Sequence, residues 1–188
     1  EPKGLGHAVL AARDIVGDEP FAVLLSDDLM VSQTGVGLLK QMVNTYENSC
    51  SNVVAVDRVA LEDVSKYGMV AFDNTKRIKT IVEKPIVGQA PSQWAVVARY
   101  ILKPEIFKIL ENTQLGVGDE LQLTDAIHSM LDSDVFTAHC FHGKRFDCGS
   151  PIGYIQAIID YAMHNDSLTS LLTKYLTEIM DSHQSETV

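Results

Sequence analysis

The sequence predicts an α/β fold in which a Rossmann-like, mixed but mostly parallel sheet is flanked by helices. Short apolar runs at 21–25 and 53–56 are typical of strands buried on both faces of a parallel sheet. Between and after these runs, apolar residues recur at the three- and four-residue spacing of amphipathic helices. A β-rich stretch at 60–102 interrupts this alternation and predicts an inserted part of the domain.

The first part of the chain supplies helices and strands in alternation. Gly4 and Gly6 open a predicted helix at 7–16, which precedes the strand at 21–25. A second helix is predicted before the strand at 53–56, because its apolar residues share one face. Those residues are Leu38, Leu39, Met42, Val43 and Tyr46.

The β-rich stretch contains three predicted strands. Gly68–Phe72 and 77–82 are separated by 73–76, and this spacing with an Asp-Asn turn predicts a hairpin. Residues 95–102 predict the third strand, since they form a further apolar run.

The rest of the chain is predicted to be mainly helical. Pro104 can open a short helix, Thr124 is a candidate N-cap for the next one, and 135–141 reads as a strand. Two helices are predicted in 151–182, and the last has a stripe that fits either packing on its own domain or an oligomer contact. The stripes contain Ile152, Ile155, Ile159 and Ala162, then Leu168, Leu171, Leu172, Tyr175, Leu176 and Ile179. All elements are assigned to a single domain, 1–188.

Composition excludes several classes of function. The chain has 188 residues, with 15 basic and 25 acidic side chains and a formal charge of -10. This sign argues against nucleic acid as a partner, although a divalent metal or a few local cations still allow an anionic small molecule. The three cysteines are far apart, which argues against a disulfide framework or structural zinc and favours a reducing cytoplasm. No apolar run reaches the length of a membrane span.

Two motifs lie at turns in the first part of the chain. Residues 1–8 (EPKGLGHA) place two glycines before a helix, where the backbone can approach a ligand, although a tight loop is the simpler explanation. In 24–28 (LLSDD), Asp27 and Asp28 follow a predicted strand, at the end where open α/β sheets bind ligands. Carboxylates at this point can hold Mg²⁺, or they can cap the turn that follows.

Two more motifs place charged groups at strand ends. In 82–85 (VEKP), Glu83 can accept hydrogen bonds from sugar hydroxyls and Lys84 can meet a phosphate, unless both belong to a solvated strand edge. Because neighbours on a strand point to opposite faces, the two need not form a salt bridge. In 146–151 (FDCGSP), Asp147 is either a second metal carboxylate or the start of a turn before a proline-initiated helix.

These motifs occur along the chain in one order. The segments are PKGLGHAV, LLSDD, KYGMV, VEKP, ARYIL, GDELQLTDAI and FDCGSPIGY, and they span nearly all of the sequence. In this order they resemble the bacterial UTP–glucose-1-phosphate uridylyltransferases, also called UDP-glucose pyrophosphorylases. The resemblance implies a cytoplasmic transferase of carbohydrate metabolism that uses Mg²⁺ to make UDP-glucose and pyrophosphate from UTP and glucose 1-phosphate. It also implies a homodimer or homotetramer, with no nucleic-acid or membrane partner.

The resemblance implies roles for individual residues. Asp27 and Asp147 match metal-binding carboxylates, with Asp28 as a neighbour, and Asp27 and Lys84 match residues that serve catalysis. The nucleotide side is matched by Lys3, Gly4, Gly6 and His7. The sugar side, within a sugar-binding portion at 60–102, is matched by Gly68, Glu83, Lys84, Val97 and Arg99.

The chain departs from the family pattern at its start. The family begins with a strand and a Gly-rich loop that carries an Arg and later a Lys, and no GxxTR-like segment occurs here. Because that loop wraps the triphosphate, we expect a domain incomplete at its N-terminus and little or no catalysis by this chain alone. Two alternatives stay open: another sugar-1-phosphate nucleotidyltransferase, such as a glucose-1-phosphate thymidylyltransferase, and a non-catalytic sugar-nucleotide-binding subunit.

Overall fold

The structure, a computed structural model, describes residues 3–185, with side chains through residue 182. Glu1 and Pro2 of the first motif lie outside the described residues. Within the described part, the chain divides into two units. We call 3–25 with 31–144 the sheet unit, and 26–30 with 145–185 the helical unit.

The sheet unit is built on a mixed sheet. In the described residues the strands are β1 (Phe21–Leu24), β2 (Asp28–Ser32), β3 (Asn52–Arg58), β4 (Gly68–Phe72), β5 (Ile78–Glu83), β6 (Trp94–Leu102), β7 (Phe136–Cys140) and β8 (Gly143–Asp147). The large sheet has the order β5-β4-β6-β3-β7, and β1 joins it by pairing with β6. β2 and β8 form a separate two-stranded sheet.

The predicted α/β class and mixed sheet are confirmed, but the expectation of mostly parallel strands is wrong for the described residues. β3 and β7 pair in parallel. β6 runs antiparallel to β1, β3 and β4, and β4 runs antiparallel to β5. The physical reason is that the long strand β6 lies between strands of the opposite direction, and a continuous apolar run reports burial rather than direction.

The helices follow the predicted order with one break. They are α1 (Leu5–Ala11), α2 (Arg13–Val16), α3 (Leu38–Ser49), α4 (Glu105–Leu110), α5 (Leu123–Met130), α6 (Pro151–Met163) and α7 (Asp166–Ser185). Two short 3₁₀ segments, Leu61–Lys66 and Val117–Asp119, complete the described helical elements. The predicted helix at 7–16 is two helices, because the chain turns at Ala12, where ψ is -5°. None of the described helices has both the length and the apolar character needed to cross a bilayer.

The two apolar runs that predicted the fold, 21–25 and 53–56, differ in how deeply their side chains are buried. Val53 to Val56 in β3 are completely buried, as expected for a strand covered on both faces. In β1, half-buried and exposed residues alternate, and the side chain of Leu24 is 48% exposed. Phe21 is anchored by stacking on Phe107 of α4, with ring centroids 4.9 Å apart. The core therefore lies around β3, β6, α4 and α5.

Candidate active site

The end of the β4–β5 hairpin brings two predicted sugar-side residues together. Gly68 at the start of β4 is the register partner of Glu83 at the end of β5. A β-carbon at Gly68 would lie 2.8 Å from Thr124 Cγ2 and 3.1 Å from Glu83 Oε2. Glycine is therefore needed here, because any larger side chain would displace the Glu83 carboxylate or its neighbour.

Thr124 contacts the predicted sugar-side residue Glu83, whereas the sequence predicted a different role for it. Its hydroxyl donates a hydrogen bond of 2.8 Å to Glu83 Oε2. The prediction that Thr124 caps α5 is wrong, because Gln122 holds the cap position without a side-chain bond and Thr124 lies inside the helix. Thr124 lies in the motif GDELQLTDAI, so the sequence did single out this segment. The sequence does not show, however, that the Thr124 side chain contacts the end of a strand. We call Gly68, Glu83, Lys84 and Thr124 the hairpin-end cluster.

Lys84 follows directly after the last residue of β5. Its φ is 42°, and its backbone N–H donates to Tyr67 O at 3.0 Å. Because the strand ends at Glu83, the alternation of faces does not continue, and Lys84 Nζ lies 3.9 Å from Glu83 Oε1. The Lys84 side chain is 48% exposed and that of Glu83 is 12% exposed. The cluster therefore presents to solvent a partly exposed lysine side chain beside a carboxylate that is held in place.

The strand β6 carries the two other predicted sugar-side residues, and it positions both for structural contacts. Ala98 has a φ of 44° at an irregularity in the β3–β6 pairing. Arg99 Nη1 donates to Leu25 O at 2.7 Å and to Ala98 O at 2.9 Å. Val97 is completely buried, and its predicted place beside the sugar stays a prediction. The predicted sugar contact of Arg99 stays a prediction.

The glycines of the first motif are explained by packing. Gly6 N–H donates to Leu121 O at 2.8 Å, and Leu121 N–H donates to Lys3 O at 2.9 Å. A β-carbon on Gly4 or Gly6 would lie 2.7 Å from the same carbonyl oxygen, and Gly4 has a φ of 92°. The tight loop before α1 therefore accounts for both glycines. Lys3 and His7 are exposed, and a nucleotide role for these four residues stays a prediction.

In the helical unit, the predicted metal carboxylates lie around one glycine. A β-carbon on Gly149 would lie 3.1 Å from Asp147 Oδ1 and 3.4 Å from Asp27 Oδ2. The backbone ties the two segments together, because Cys148 N–H donates to Asp27 O at 2.7 Å. Both aspartates are exposed. We call Asp27 and Asp147 the carboxylate pair.

Asp28 is separated from its neighbour by burial. Its side chain is 6% exposed, and its Oδ1 accepts a 2.7 Å hydrogen bond from Arg145 Nε. Arg145 is itself only 15% exposed, so the two form a desolvated ion pair. Asp28 is therefore a structural residue. Arg145 was not predicted, because the partners are 117 residues apart in sequence.

The turn that carries Asp147 also starts α6. Gly149 N–H donates to Asp147 Oδ1 at 3.1 Å, which makes the aspartate-initiated turn expected from the sequence. Ser150 caps the helix by accepting from Gly153 N–H at 3.1 Å, with Pro151 at the first helical position. Turn formation leaves the other oxygen of Asp147 available, so the structural and metal roles of this residue are compatible.

The donor set of the carboxylate pair fits Mg²⁺. This ion takes oxygen ligands, and it is usually bound through one or two carboxylates together with substrate phosphates and water. The described residues contain no group of three or more His, Cys, Asp or Glu side chains that could form a complete protein cage. Two exposed carboxylates around a glycine match the smaller ligand set that Mg²⁺ needs.

Burial shifts the pKa of one carboxyl group next to the hairpin-end cluster. Asp125 follows Thr124 on α5, and desolvation raises the pKa of its carboxyl group, while the charge of His128 lowers it in part. Asp125 lines an open groove of about 540 Å³ with Lys108, Asn112 and Ser129. The raised pKa shows that the Asp125 carboxyl group is partly desolvated on α5, the helix that also carries Thr124, the hydrogen-bond partner of Glu83.

Comparisons with known proteins support the ordered motifs. The chain matches the profile of the family described as "Nucleotidyl transferase" over residues 1–164. It is 47% identical over 161 residues to the UTP--glucose-1-phosphate uridylyltransferase of Pseudomonas aeruginosa PAO1, with 84% of this chain and 58% of that protein covered. It is 39% identical over 188 residues to the Bacillus subtilis enzyme of the same name, with coverages of 98% and 64%. The chain thus spans about three fifths of the length of these relatives.

Solved structures give the same picture. A UDP-glucose pyrophosphorylase complexed with UDP-glucose aligns with a TM-score of 0.81 at 45% identity, covering 86% of this chain and 62% of that one. A UTP-bound UGPase from Acinetobacter baumannii aligns with a TM-score of 0.84 at 39% identity, with coverages of 95% and 63%. A Bacillus anthracis structure described as a putative glucose-1-phosphate thymidylyltransferase, at 23% identity and a TM-score of 0.69, shares the fold. The match over residues 1–164 shows that this chain belongs to the nucleotidyl transferase family.

Proposed function

We propose that this chain carries the sugar-phosphate site and the metal carboxylates of an enzyme that makes UDP-glucose and pyrophosphate from UTP and glucose 1-phosphate. The observation that carries the proposal is the hairpin-end cluster, in which Thr124 holds Glu83 at 2.8 Å beside the exposed ammonium group of Lys84. The names of the relatives from Pseudomonas aeruginosa and Bacillus subtilis support the same substrates.

The hairpin-end cluster has the chemistry to bind a sugar phosphate. Glu83 is held by the Thr124 hydroxyl through Oε2, and its second oxygen can accept hydrogen bonds from sugar hydroxyls. Lys84 supplies a compact positive charge for a phosphate group. The buried Gly68 backbone keeps the approach to the carboxylate free of a side chain.

The proposed reaction is an in-line displacement. A phosphate oxygen of glucose 1-phosphate attacks the α-phosphorus of UTP, and the bond to the β-phosphate oxygen breaks to release pyrophosphate. Asp27 and Asp147 would hold Mg²⁺, which neutralises phosphate charge when bound. Lys84 orients the attacking phosphate, Glu83 orients the sugar, and proximity supplies much of the rate effect. We assign the nucleotide side to Lys3, Gly4, Gly6 and His7, as the family resemblance implies.

Calorimetry with UDP-glucose tests the proposal on the 188-residue chain. We expect Glu83→Gln to weaken binding at least tenfold, because the carboxylate loses its charge-assisted hydrogen bonds to the sugar, worth about 1.5 kcal/mol or more. Glu47→Gln, on the exposed face of α3, is the matched control and should bind like the parent chain. Equal affinity of the Glu83→Gln variant and the parent chain would contradict the proposal. Tighter binding of dTDP-glucose than of UDP-glucose would favour the thymidylyltransferase alternative.

Two further features belong to the same proposal. Large apolar side chains on α6 and α7 are exposed, among them Ile155 and Tyr161, which supports a homodimer or homotetramer. The cysteines at positions 50, 140 and 148 are free thiols, which supports a reducing cytoplasm as the location.

A further inference from the structure

A lysine and a cysteine meet at the turn end of the β4–β5 hairpin, opposite the hairpin-end cluster. Lys76 lies in the turn between β4 and β5, and Cys140 is the last residue of β7. Lys76 Nζ donates a hydrogen bond to Cys140 Sγ at 3.3 Å. This contact joins two potentially nucleophilic side chains from segments that are 64 residues apart.

Backbone contacts fix the position of Lys76 relative to β7. Ala138 N–H donates to Lys76 O at 2.8 Å. The adjacent pair, Arg77 and Thr137, forms an isolated β-bridge. The turn itself is held by Asp73, whose Oδ1 accepts from Arg77 N–H at 3.1 Å. The Lys76 backbone is therefore attached to β7 independently of its side chain.

Aromatic rings hold the amine end of the Lys76 side chain. Lys76 Nζ lies 4.9 Å from the centre of the Phe72 ring and 6.0 Å from that of Trp94. Both distances are in the range of cation–π attraction. With the rings on one side and the sulfur 3.3 Å away, the nitrogen and sulfur atoms are held at a short separation that raises their effective concentration toward each other.

We propose that Lys76 and Cys140 form a redox-sensitive pair, which a peroxide oxidant such as hydrogen peroxide converts into a covalent sulfenamide. The Cys140 thiolate first attacks one peroxide oxygen, the O–O bond breaks, and the departing hydroxide takes a proton from the Lys76 ammonium group to form water, which leaves a neutral amine beside the sulfur. Sulfur is thereby oxidised to sulfenic acid, and the peroxide is reduced. The neutral Lys76 amine then attacks sulfur, the S–O bond breaks, and hydroxide leaves with the amine proton as a second water.

The other two cysteines provide an internal comparison. Cys50 is exposed at the end of α3, and Cys148 Sγ contacts Phe146 O at 3.7 Å. We expect the lysine link to form at Cys140, where the Lys76 amine is already in contact with the sulfur.

The link would attach the β4–β5 hairpin covalently to β7. The loop closed by the bond includes β5 and β6, so cross-linking reduces the conformational entropy of the unfolded chain. We therefore expect the oxidised protein to melt at a higher temperature than the reduced one. A reducing thiol should reverse the change, since thiols attack the sulfur of a sulfenamide.

Peptide mass spectrometry of the 188-residue chain after treatment with stoichiometric hydrogen peroxide tests the proposal. The expected product is a pair of peptides joined between Lys76 and Cys140 and lighter than their sum by two hydrogen atoms. Dithiothreitol should restore the separate peptides. Lys76→Arg is the matched variant, because it keeps the positive charge but its guanidinium is not a nucleophile; it should give no link and more dimedone-trapped sulfenic acid at Cys140.

Two outcomes would overturn the proposal. One is oxidation of Cys140 to the same dimedone adduct or sulfinic acid, in equal yield, in the parent chain and the Lys76→Arg variant. The other is oxidation of Cys50 and Cys148 while Cys140 stays reduced. Circular dichroism of the Lys76→Arg and Cys140→Ser variants establishes that each has the parent fold before the comparison is made.

Discussion

At the residue scale, the hydrogen bond between Thr124 and Glu83 decides how precisely the hairpin-end cluster can act. A glutamate side chain at a strand end has several rotamers, and selecting one of them lowers the entropy lost when a ligand binds. The 2.8 Å contact from a buried helical threonine makes that selection in the free protein. Thr124 is thus a positioning residue in the proposed site, since it acts through Glu83.

A pair of substitutions separates this positioning role from a packing role. Thr124→Val keeps the shape but removes the hydroxyl, and we expect UDP-glucose binding about fivefold weaker, from the loss of about 1 kcal/mol. Thr124→Ser keeps the hydroxyl and should bind within about twofold of the parent chain. Calorimetry measures both variants. Parent-like affinity in Thr124→Val would show that the contact does not position Glu83 for the ligand.

The adjacent aspartates are predicted to respond differently to the same change. Asp27→Asn removes an exposed carboxylate, so Mg²⁺ affinity should fall while the melting temperature changes little. Asp28→Asn removes the carboxylate that pairs with the mostly buried Arg145 guanidinium, and we expect about 3 kcal/mol of destabilisation. Mg²⁺ titration and urea unfolding of both variants measure these effects. The assignment fails if Asp28→Asn is the variant that loses Mg²⁺ and keeps its stability.

His139 should make stability depend on pH. Its Nδ1 lies 3.1 Å from Thr45 Oγ1, whereas its Nε2 is buried without a hydrogen-bond partner. Burial, and then the charge of His142, lowers the pKa of the His139 ring below its ordinary value. The unfolded chain therefore takes up a proton first, and this contribution to stability is lost as the pH falls below about 6.5.

Urea unfolding at several pH values from neutral to mildly acidic measures this effect. The free energy of unfolding of the parent chain should drop on acidification, and His139→Gln should drop less. His7→Gln, on the exposed surface of α1, is the control and should follow the parent chain. The same pH dependence in all three proteins would assign the effect to other groups.

At the element scale, the sequence predicts a property of a strand correctly when the local residue pattern determines it, and fails when pairing with distant strands determines it. The apolar run of β3 predicted a strand buried on both faces, because burial is written into the side chains of Val53 to Val56. The similar run of β1 led to the same prediction, which is wrong: exposed and half-buried residues alternate in this strand, which pairs with β6. Strand direction is likewise a property of partners, which explains the wrong expectation of a mostly parallel sheet.

The same distinction applies to the candidate site. The sequence could propose Asp27, Glu83, Lys84 and Asp147 as site residues, because a carboxylate or an ammonium group at a strand end carries chemistry in its residue type. Thr124 and Arg145 were missed as functional partners because their roles come from contacts with residues 41 and 117 positions away. The strands β2 and β8 were missed for a related reason, since the apolar run of β2 is only three residues long and β8 has none.

The β4–β5 hairpin allows a test of close packing. We expect Gly68→Ala to lower the free energy of unfolding by about 2 kcal/mol, because the added methyl would meet Thr124 Cγ2 at 2.8 Å. Gly37→Ala is the matched control: it has open space around it and a φ of -57°, and it should change stability by less than about 0.5 kcal/mol. Chemical denaturation measures both. A stable Gly68→Ala variant with parent-like binding would show that the hairpin end adjusts freely.

At the scale of the whole molecule, charge and apolar surface point to different partners. The net charge of -10 disfavours nucleic acid, while in the proposed function Mg²⁺ and Lys84 meet the charge of smaller phosphate ligands. On α6 and α7, Tyr161 and Leu171 are 67% and 68% exposed. Exposed apolar side chains on two neighbouring helices support self-association of the chain.

Light scattering coupled to size-exclusion chromatography tests the proposed homo-oligomer. The double variant Tyr161→Glu with Leu171→Glu should elute with the mass of a monomer, because two buried carboxylates would oppose an apolar interface. Ser170→Glu, an exposed polar position on α7, is the control and should keep the parent mass. A parent chain that is already monomeric at high concentration would reject this part of the proposal.

The start of α6 has a mechanical consequence for the carboxylate pair. Ser150 Oγ donates to Asp147 O at 2.9 Å while it caps the helix, and a side chain on Gly153 would collide with that same carbonyl. The backbone of Asp147 is therefore hydrogen-bonded to the N-cap residue of a 13-residue helix, and we expect Asp147 and the helix to move together. A small tilt of α6 would then displace the Asp147 carboxylate. We therefore expect the distance between the Asp27 and Asp147 carboxylates to depend on the position of this helix rather than on the conformation of a loop.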